Sequence, residues 1–243
     1  GDARLPLPWR RGHLEPMRRR DFLSAALGLA GATAAEAAPP LIVLSTQAVE
    51  AYRRRLASAV ERTGGGRFVG STEEALFDAH QAIRREHGLG PLAPHPGLAR
   101  AARAHAADQA VRGFFGHMSP EGFGAVDRAG LLARTFLGLP GENVVEASGR
   151  YLSVEPDVLM NSWMDSPGHR ANVLRPSFTH VGLGAVQNGR RTVAVAVFGQ
   201  RFAELEAPLP LSLSRPEIAT ALAAARPAIH SYDLSLVGHP DRT

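Results

Sequence analysis

Three residues far apart in the chain, His117, Glu142 and His169, carry side chains suited to metal chemistry. Each follows a glycine, a position typical of the end of an element, where a side chain reaches the surface from a rigid scaffold. Two neutral imidazoles and one carboxylate form a ligand set for Zn²⁺ or a similar divalent cation, with open positions for water. We therefore predict a weak, reversible metal site of these three residues. Because metal–nitrogen bonds are near 2 Å, its two imidazoles must lie within about 10 Å of each other.

Two other interpretations of the same residues stay open. Ser166, His169 and Glu142 could form a hydrolase relay of nucleophile, base and carboxylate. However, Ser166 precedes Pro167 without a Gly-x-Ser-x-Gly elbow, and the sequence has no His-Glu-x-x-His helix. A purely structural interpretation assigns His117 to a turn cap, Glu142 to backbone N–H groups of its loop and His169 to a strand end.

The elements that position these residues begin with helices, predicted where apolar residues recur at helical spacing. Ser71 and Glu74 have the spacing of a capping box, which would begin a helix over about residues 72–87. Further helices are expected at about 46–62, 97–112, 125–134, 155–164 and 215–225. Three histidines on these helices are expected to be packed or half-exposed rather than ligands: His80, His87 and His105.

Strands are predicted after Thr179, where apolar residues alternate with others on both sides of an Asn188-Gly189 turn. The alternating residues are Val181, Leu183 and Ala185 before the turn, and Val193, Val195 and Val197 after it. Asn-Gly between two such runs indicates a β-hairpin. Val144-Val145 indicates a third strand. Because the helices mostly precede the strands, the pattern favours an α+β fold over a doubly wound sheet.

Four segments, in order, resemble the bacterial branch of the CAP superfamily, which includes cysteine-rich secretory, antigen 5 and pathogenesis-related proteins. They are residues 116–122 (Gly-His-Met-Ser-Pro-Glu-Gly), 141–144 (Gly-Glu-Asn-Val), 163–174 (Trp-Met-Asp-Ser-Pro-Gly-His-Arg-Ala-Asn-Val-Leu) and 181–184 (Val-Gly-Leu-Gly). The third segment is the most specific, and the resemblance covers about residues 73–203.

The resemblance implies a three-layer α-β-α sandwich with a small antiparallel sheet and a cleft lined by two histidines and acidic residues. Position by position, these are His117, His169 and Glu142. Many relatives have a second glutamate just after the tryptophan, where this chain has Met164-Asp165-Ser166. Relatives have also been associated with lipid or sterol capture in apolar grooves, with divalent ions and with protein partners. Candidate groove residues here are Leu131, Leu132 and Phe136 on an apolar helix at 125–137.

Composition excludes several classes of site and partner. The 243 residues include no cysteine, which excludes disulfides, thiolate ligands and a cysteine nucleophile. All 27 basic residues are arginine and the formal net charge is only +4, whereas nucleic-acid binding requires a concentrated basic surface. We therefore expect no nucleic-acid partner.

The N-terminal part has the three regions of an export signal: Arg18-Arg19-Arg20, a small-residue apolar run, and Ala35-Glu36-Ala37. Arg19-Arg20-Asp21-Phe22-Leu23 resembles a twin-arginine signal, with Met17 as the expected start. The apolar run is shorter than the roughly 20 residues that span a bilayer, so we expect no span in the mature protein.

We thus expect an export signal (1–37), a tether with a short helix (38–70), a CAP domain (71–204) and a C-terminal extension (205–243). The expected function is binding rather than turnover, in the periplasm or outside the cell. The protein is expected to be a monomer, with a small ligand, a lipid or a protein as its partner. The alternatives are a lipid or sterol carrier and a Ser/His/Glu or metal-dependent hydrolase.

Overall fold

The computed structural model describes residues 46–61, 66–148, 155–210 and 215–228. The export signal predicted at 1–37, the start of the tether and the end of the C-terminal extension lie outside these residues. The helices within them are α1 (Thr46–Glu61), α2 (Gly70–Glu86), α3 (Pro96–Arg112), α4 (Ala125–Leu132), α5 (Pro156–Asp165), α6 (Pro167–Val173) and α7 (Arg215–Ala223). The strands are β1 (Arg67–Phe68), β2 (Ala93–Pro94), β3 (Phe136–Ser148), β4 (His180–Asn188) and β5 (Arg191–Glu204).

One sheet contains all five of these strands, in the order β1-β4-β5-β3, with β2 pairing parallel to β4 and the other pairs antiparallel. The β4–β5 hairpin confirms the Asn-Gly prediction. Asn188 still pairs with Arg191, so the tight turn consists of Gly189 and Arg190. Gly189 has φ +59°, a left-handed conformation that glycine adopts at little cost.

Alternate residues of β5 face opposite helical layers. Ala194, Ala196 and Phe198 pack in a core cluster with α2, α5 and α6. Val193, Val195 and Val197 pack in a second cluster with α3 and α4. Helices therefore cover both faces of the sheet, and the α+β prediction of an α-β-α sandwich is confirmed.

Glycines of β4 allow α3 to approach the sheet closely. A Cβ atom at Gly182 would lie 2.0 Å from the backbone nitrogen of Ala99, and one at Gly184 would lie 2.3 Å from that of Arg103. The facing side of α3 is rich in buried alanine. The helix therefore packs almost directly against the strand backbone.

The capping box predicted for α2 and the length of the apolar helix expected over 125–137 are wrong, whereas the bounds of α2 agree with the prediction within two residues. Helix α2 begins at Gly70 after an N-cap at Val69 that makes no side-chain cap bond, so Ser71 and Glu74 form no capping box. The backbone of Val69 is bound to Ala185 of β4 at 3.0 Å, and this tertiary pairing fixes where the helix starts. The apolar helix expected over 125–137 ends at Leu132, because the chain turns into β3 at Phe136 to pair with β5.

The segments flanking the sandwich pack against it. On α1, Tyr52 and Leu56 are buried in a cluster with Ala104 and Phe123. After β5, Glu204 and Arg226 exchange backbone hydrogen bonds of 2.9 and 2.8 Å. Among the described residues, no helix combines the length and apolar character needed to cross a bilayer.

Candidate functional site

The three predicted residues come from three different elements and lie close together. His117 is in the loop between α3 and α4, Glu142 is on β3, and His169 is in the first turn of α6. Nδ1 of His117 donates a hydrogen bond of 3.0 Å to Oε1 of Glu142. The ring centroids of His117 and His169 are 6.0 Å apart, well within the limit that a shared ion requires.

Backbone contacts of Gly116 hold the loop that carries His117. The N–H of Gly116 donates to Oε1 of Gln109 at 2.9 Å, and its carbonyl accepts from Nε2 of His105 at 2.8 Å. Gly116 has φ +141°, which a residue with a side chain rarely adopts. The buried His105 is therefore a structural residue of the site, in line with the sequence prediction.

Two asparagines fix α6, and with it His169, to β3. Nδ2 of Asn143 donates to the carbonyl of His169 at 2.9 Å. Nδ2 of Asn172 donates to the side chain of Asn143 at 2.9 Å and to the carbonyl of Glu142 at 3.2 Å. These bonds set the separation between the two histidines.

Arg128 of α4 belongs to this group of residues, although the sequence analysis did not single it out. Its side chain is completely buried, and that of Glu142 is 2% exposed. Nη2 of Arg128 donates to both carboxylate oxygens of Glu142, at 2.9 and 2.8 Å, and to the carbonyl of His117 at 2.7 Å. Both oxygens of Glu142 are thus engaged by protein partners.

The electrostatics of the site follow from this arrangement. Burial alone would raise the pKa of Glu142, but its hydrogen bond from His117 and the charge of Arg128 keep that pKa below its usual value. The same hydrogen bond raises the pKa of His117. Burial, together with the neighbouring His117, lowers the pKa of His169.

The two histidines differ in access to solvent. The His117 side chain is 53% exposed, and His169 is half-buried. When the imidazole of His117 is neutral and its Nδ1–H donates a hydrogen bond to Glu142, its Nε2 carries the lone pair. Within the described residues, no three His, Cys, Asp or Glu side chains form a group that could hold a metal ion.

The hydrolase relay lacks its expected contacts. Glu142 bonds to His117 and Arg128, so it orients the other histidine of the pair rather than His169. Among the described residues, no hydrogen bond joins Ser166 to His169. Ser166 instead separates α5 from α6 with extended backbone.

Apart from this site, an apolar groove of about 550 Å³ runs beside α4. Leu131 and Phe136, two of the three predicted groove residues, line it, whereas Leu132 does not; all three also pack against core clusters. Val49 of α1 and Leu209 after β5 also contribute. Both segments that flank the sandwich therefore help to form this groove.

The sequence profile of the Cysteine-rich secretory protein family (CAP) matches residues 77–200. The chain belongs to the CAP family.

Two curated relatives of this CAP chain are from Bacillus subtilis. The uncharacterized protein YkwD is 32% identical over 124 residues, which are 50% of this chain and 45% of the relative. The uncharacterized membrane protein YlbC is 27% identical over 114 residues, which are 47% of this chain and 31% of the relative. The CAP chain thus spans less than half the length of each.

Solved structures similar to the CAP chain include an extracellular SCP-domain protein from Bacillus anthracis. Its identity is 28% and its TM-score 0.47, with 54% of this chain and 41% of that one covered. An outer surface protein from Borrelia burgdorferi has 20% identity and a TM-score of 0.49, with 56% and 98% covered.

In this CAP chain, the residues after Trp163 supply no second buried acid. Trp163 itself is fully buried in the core, as expected, and Met164 packs against the same cluster. Asp165 ends α5 and is exposed.

Proposed function

We propose that this protein is an exported binding protein whose cleft takes a divalent cation such as Zn²⁺ at His117 and His169. The observation that carries the proposal is the 6.0 Å separation of the two imidazole rings, with Nδ1 of His117 fixed by Glu142 at 3.0 Å. In this proposal Glu142 orients a ligand instead of binding the ion, because Arg128 occupies both of its oxygens.

The donor set fits such an ion. Metal-binding histidines commonly donate their second ring N–H to a carboxylate, which fixes the tautomer and makes the other nitrogen a better ligand. The His117–Glu142 bond is of this type, and zinc–nitrogen bonds are about 2.0–2.1 Å long. A bound ion would supply a Lewis acid with positions open to an external ligand.

Two protein nitrogens without a third protein ligand support weak, reversible binding. The exposed ring of His117 would let an ion, or a ligand that it carries, exchange with solvent.

The test is a calorimetric titration of the full chain with ZnCl₂. We expect saturable binding by the wild type and its loss in the variant that combines His117→Ala with His169→Ala. His87→Ala is the matched control, because His87 is exposed at the end of α2 and bonds to the Ile83 carbonyl. An unchanged titration in the double variant would remove the proposal.

A second candidate function, capture of a lipid or sterol, is favoured by the groove beside α4. Its walls are mostly apolar, and Val126 at its edge is 68% exposed. Lipid capture predicts titratable lipid that is lost in Leu131→Glu and retained in the double histidine variant. Lipid binding that survives Leu131→Glu would exclude this groove.

We also infer that the protein works outside the cytoplasm, through the twin-arginine segment at Arg19-Arg20. Replacing both arginines by lysine should abolish export in a bacterial host, as measured by fractionation, whereas Arg53→Lys on α1 should not. Equal export of the two variants would contradict the inference.

A further inference from the structure

We propose that Arg128 and Tyr52 are positioning residues for His117. Helix α1 is therefore part of the proposed site, although it precedes residues 77–200, which the family profile matches. This inference rests on the proposed function only where metal affinity is measured. The tautomer of His117 is measured without added metal, so that part of the test does not depend on the proposed function.

Arg128 connects two points of the α3–α4 loop to β3 through one guanidinium group. Nη1 donates to the carbonyl of Phe123 at 3.0 Å, while Nη2 donates to the carbonyl of His117 at 2.7 Å and to the carboxylate of Glu142. A guanidinium is planar and its donors have a fixed geometry, so these acceptors constrain one another. Arg128 thereby holds the backbone of His117 and the acceptor of its side chain in one arrangement.

That arrangement determines which nitrogen of His117 is available. With Glu142 held as the acceptor at Nδ1, the neutral ring keeps its proton on Nδ1 and its lone pair on Nε2. If Glu142 turned away, both tautomers of His117 would be accessible and the ring could rotate. Arg128 acts through Glu142 in this respect and does not touch a ligand itself.

Tyr52 supports Arg128 from α1. Its ring, 1% exposed, stacks on that of Phe123 with centroids 4.2 Å apart and planes 2° from parallel. The carbonyl of Phe123 is the acceptor that Nη1 of Arg128 uses. Tyr52, Phe123, Arg128, Glu142 and His117 thus form a continuous series of contacts from α1 to the cleft.

Ion pairs attach α1 to the same loop. Arg55 of α1 lies 3.6 Å from Glu121, and Glu121 also accepts a hydrogen bond of 2.7 Å from Arg112 of α3. Exposed pairs of this kind contribute little energy alone. Their position nevertheless places the loop of His117 between α1 and α3.

The experiment measures the tautomer of His117 by long-range ¹H–¹⁵N correlation NMR on the metal-free full chain, and zinc affinity by titration. We expect the wild type to show the Nδ1–H tautomer. Tyr52→Ala and Arg128→Lys should show a mixture and bind zinc about 10-fold more weakly, the lower end of the effect of losing an outer partner of a ligand.

Leu56→Ala serves as the control, because it removes an equally buried α1 side chain from the same cluster. It should keep the wild-type tautomer, even where it lowers the melting temperature. If Arg128→Lys fails to fold, the comparison of Tyr52→Ala with Leu56→Ala decides alone.

The outcomes separate the two proposals. A wild-type tautomer in Tyr52→Ala, or the same mixture in Leu56→Ala, overturns the positioning role. If no variant binds zinc but Tyr52→Ala shifts the tautomer and Leu56→Ala does not, the metal proposal fails and the positioning role stands.

Discussion

At the scale of single residues, the buried Glu142–Arg128 pair is the main ionic contact beside His117. A carboxylate that is almost completely removed from water must be paired, because an isolated buried charge costs several kcal/mol. Nη2 of Arg128 meets this requirement by contacting both carboxylate oxygens, and Nδ1 of His117 adds a further hydrogen bond to Oε1. The carboxylate therefore has a structural role that does not depend on the proposed function.

Replacing Glu142 by Gln tests this role, since the Arg128 charge would remain buried without its counter-charge. We expect the free energy of unfolding to fall by about 3 kcal/mol, measured by urea denaturation at pH 7. The control is Glu146→Gln on the same strand, where the side chain is exposed and pairs with Arg191 at the surface. Its loss should stay below about 1 kcal/mol. Equal losses in the two variants would mean that the buried Glu142–Arg128 pair contributes no more to the free energy of unfolding than the Glu146–Arg191 pair.

The sequence singled out His117, Glu142 and His169, which the fold brings close together, but it could not have predicted Arg128 beside them. Arginine is normally exposed, and nothing in the short helix α4 indicates burial of this one. Its environment comes from Glu142 and from the carbonyls of His117 and Phe123, which only the fold brings together. A buried glutamate implies a cationic partner, yet with 27 arginines the sequence alone does not select one.

At the scale of elements, the contact between α3 and β4 sets the thickness of one layer of the sandwich. It depends on glycines whose missing side chains leave room for backbone atoms of the helix. The neighbouring Val181, Leu183 and Ala185 face the opposite layer. The two faces of β4 therefore pack differently. Its glycines face the backbone of α3, and its apolar side chains face the opposite helical layer.

Gly184→Ala should push α3 away from the sheet, because the atoms that its Cβ would meet are rigid backbone at 2.3 and 2.5 Å. We expect a loss of about 3 kcal/mol or more in unfolding free energy, at or above the usual cost of overpacking. Gly130→Ala on α4, where a Cβ meets nothing within 4 Å, should instead be neutral or stabilising by up to about 1 kcal/mol. Thermal unfolding of both variants checks this, and a fully stable Gly184→Ala would contradict the close packing.

Elements were predictable where their own residues repeat a pattern. Helices α1, α3 and α5 lie within two residues of their predicted bounds, because their apolar spacing is local. The two-residue strands β1 and β2 exist only through pairing with β4, so no pattern within them could indicate them. The start of β3 was missed for a similar reason, since its register with β5 extends the strand back to Phe136.

At the scale of the whole molecule, stability depends on packing without any disulfide, so a buried titratable group in the main core matters. His80 of α2 is fully buried, with ring centroids 5.6 Å from Trp163 and 5.5 Å from Phe198. Its Nδ1 bonds to the carbonyl of Leu76 at 2.6 Å, and its Nε2 has no hydrogen-bond partner among the described residues. His80 contacts both α5 and β5 from α2. A positive charge on its ring would therefore destabilise the core that these three elements share.

Burial lowers the pKa of His80 from 6.5 to about 4, which makes stability depend on acidity. Above pH 6.5 the imidazole is neutral in both states and contributes no pH dependence. As the pH falls from 6.5 towards 4, the unfolded chain binds a proton that the folded chain does not, so unfolding becomes easier by up to about 3 kcal/mol.

We therefore expect His80→Gln, which cannot titrate, to lose less stability than the wild type between pH 7 and pH 4.5 in urea denaturation. His87→Gln, an exposed change near the end of the same helix, should follow the wild-type profile. Parallel profiles for wild type and His80→Gln would mean that another titratable group causes the loss of stability at low pH.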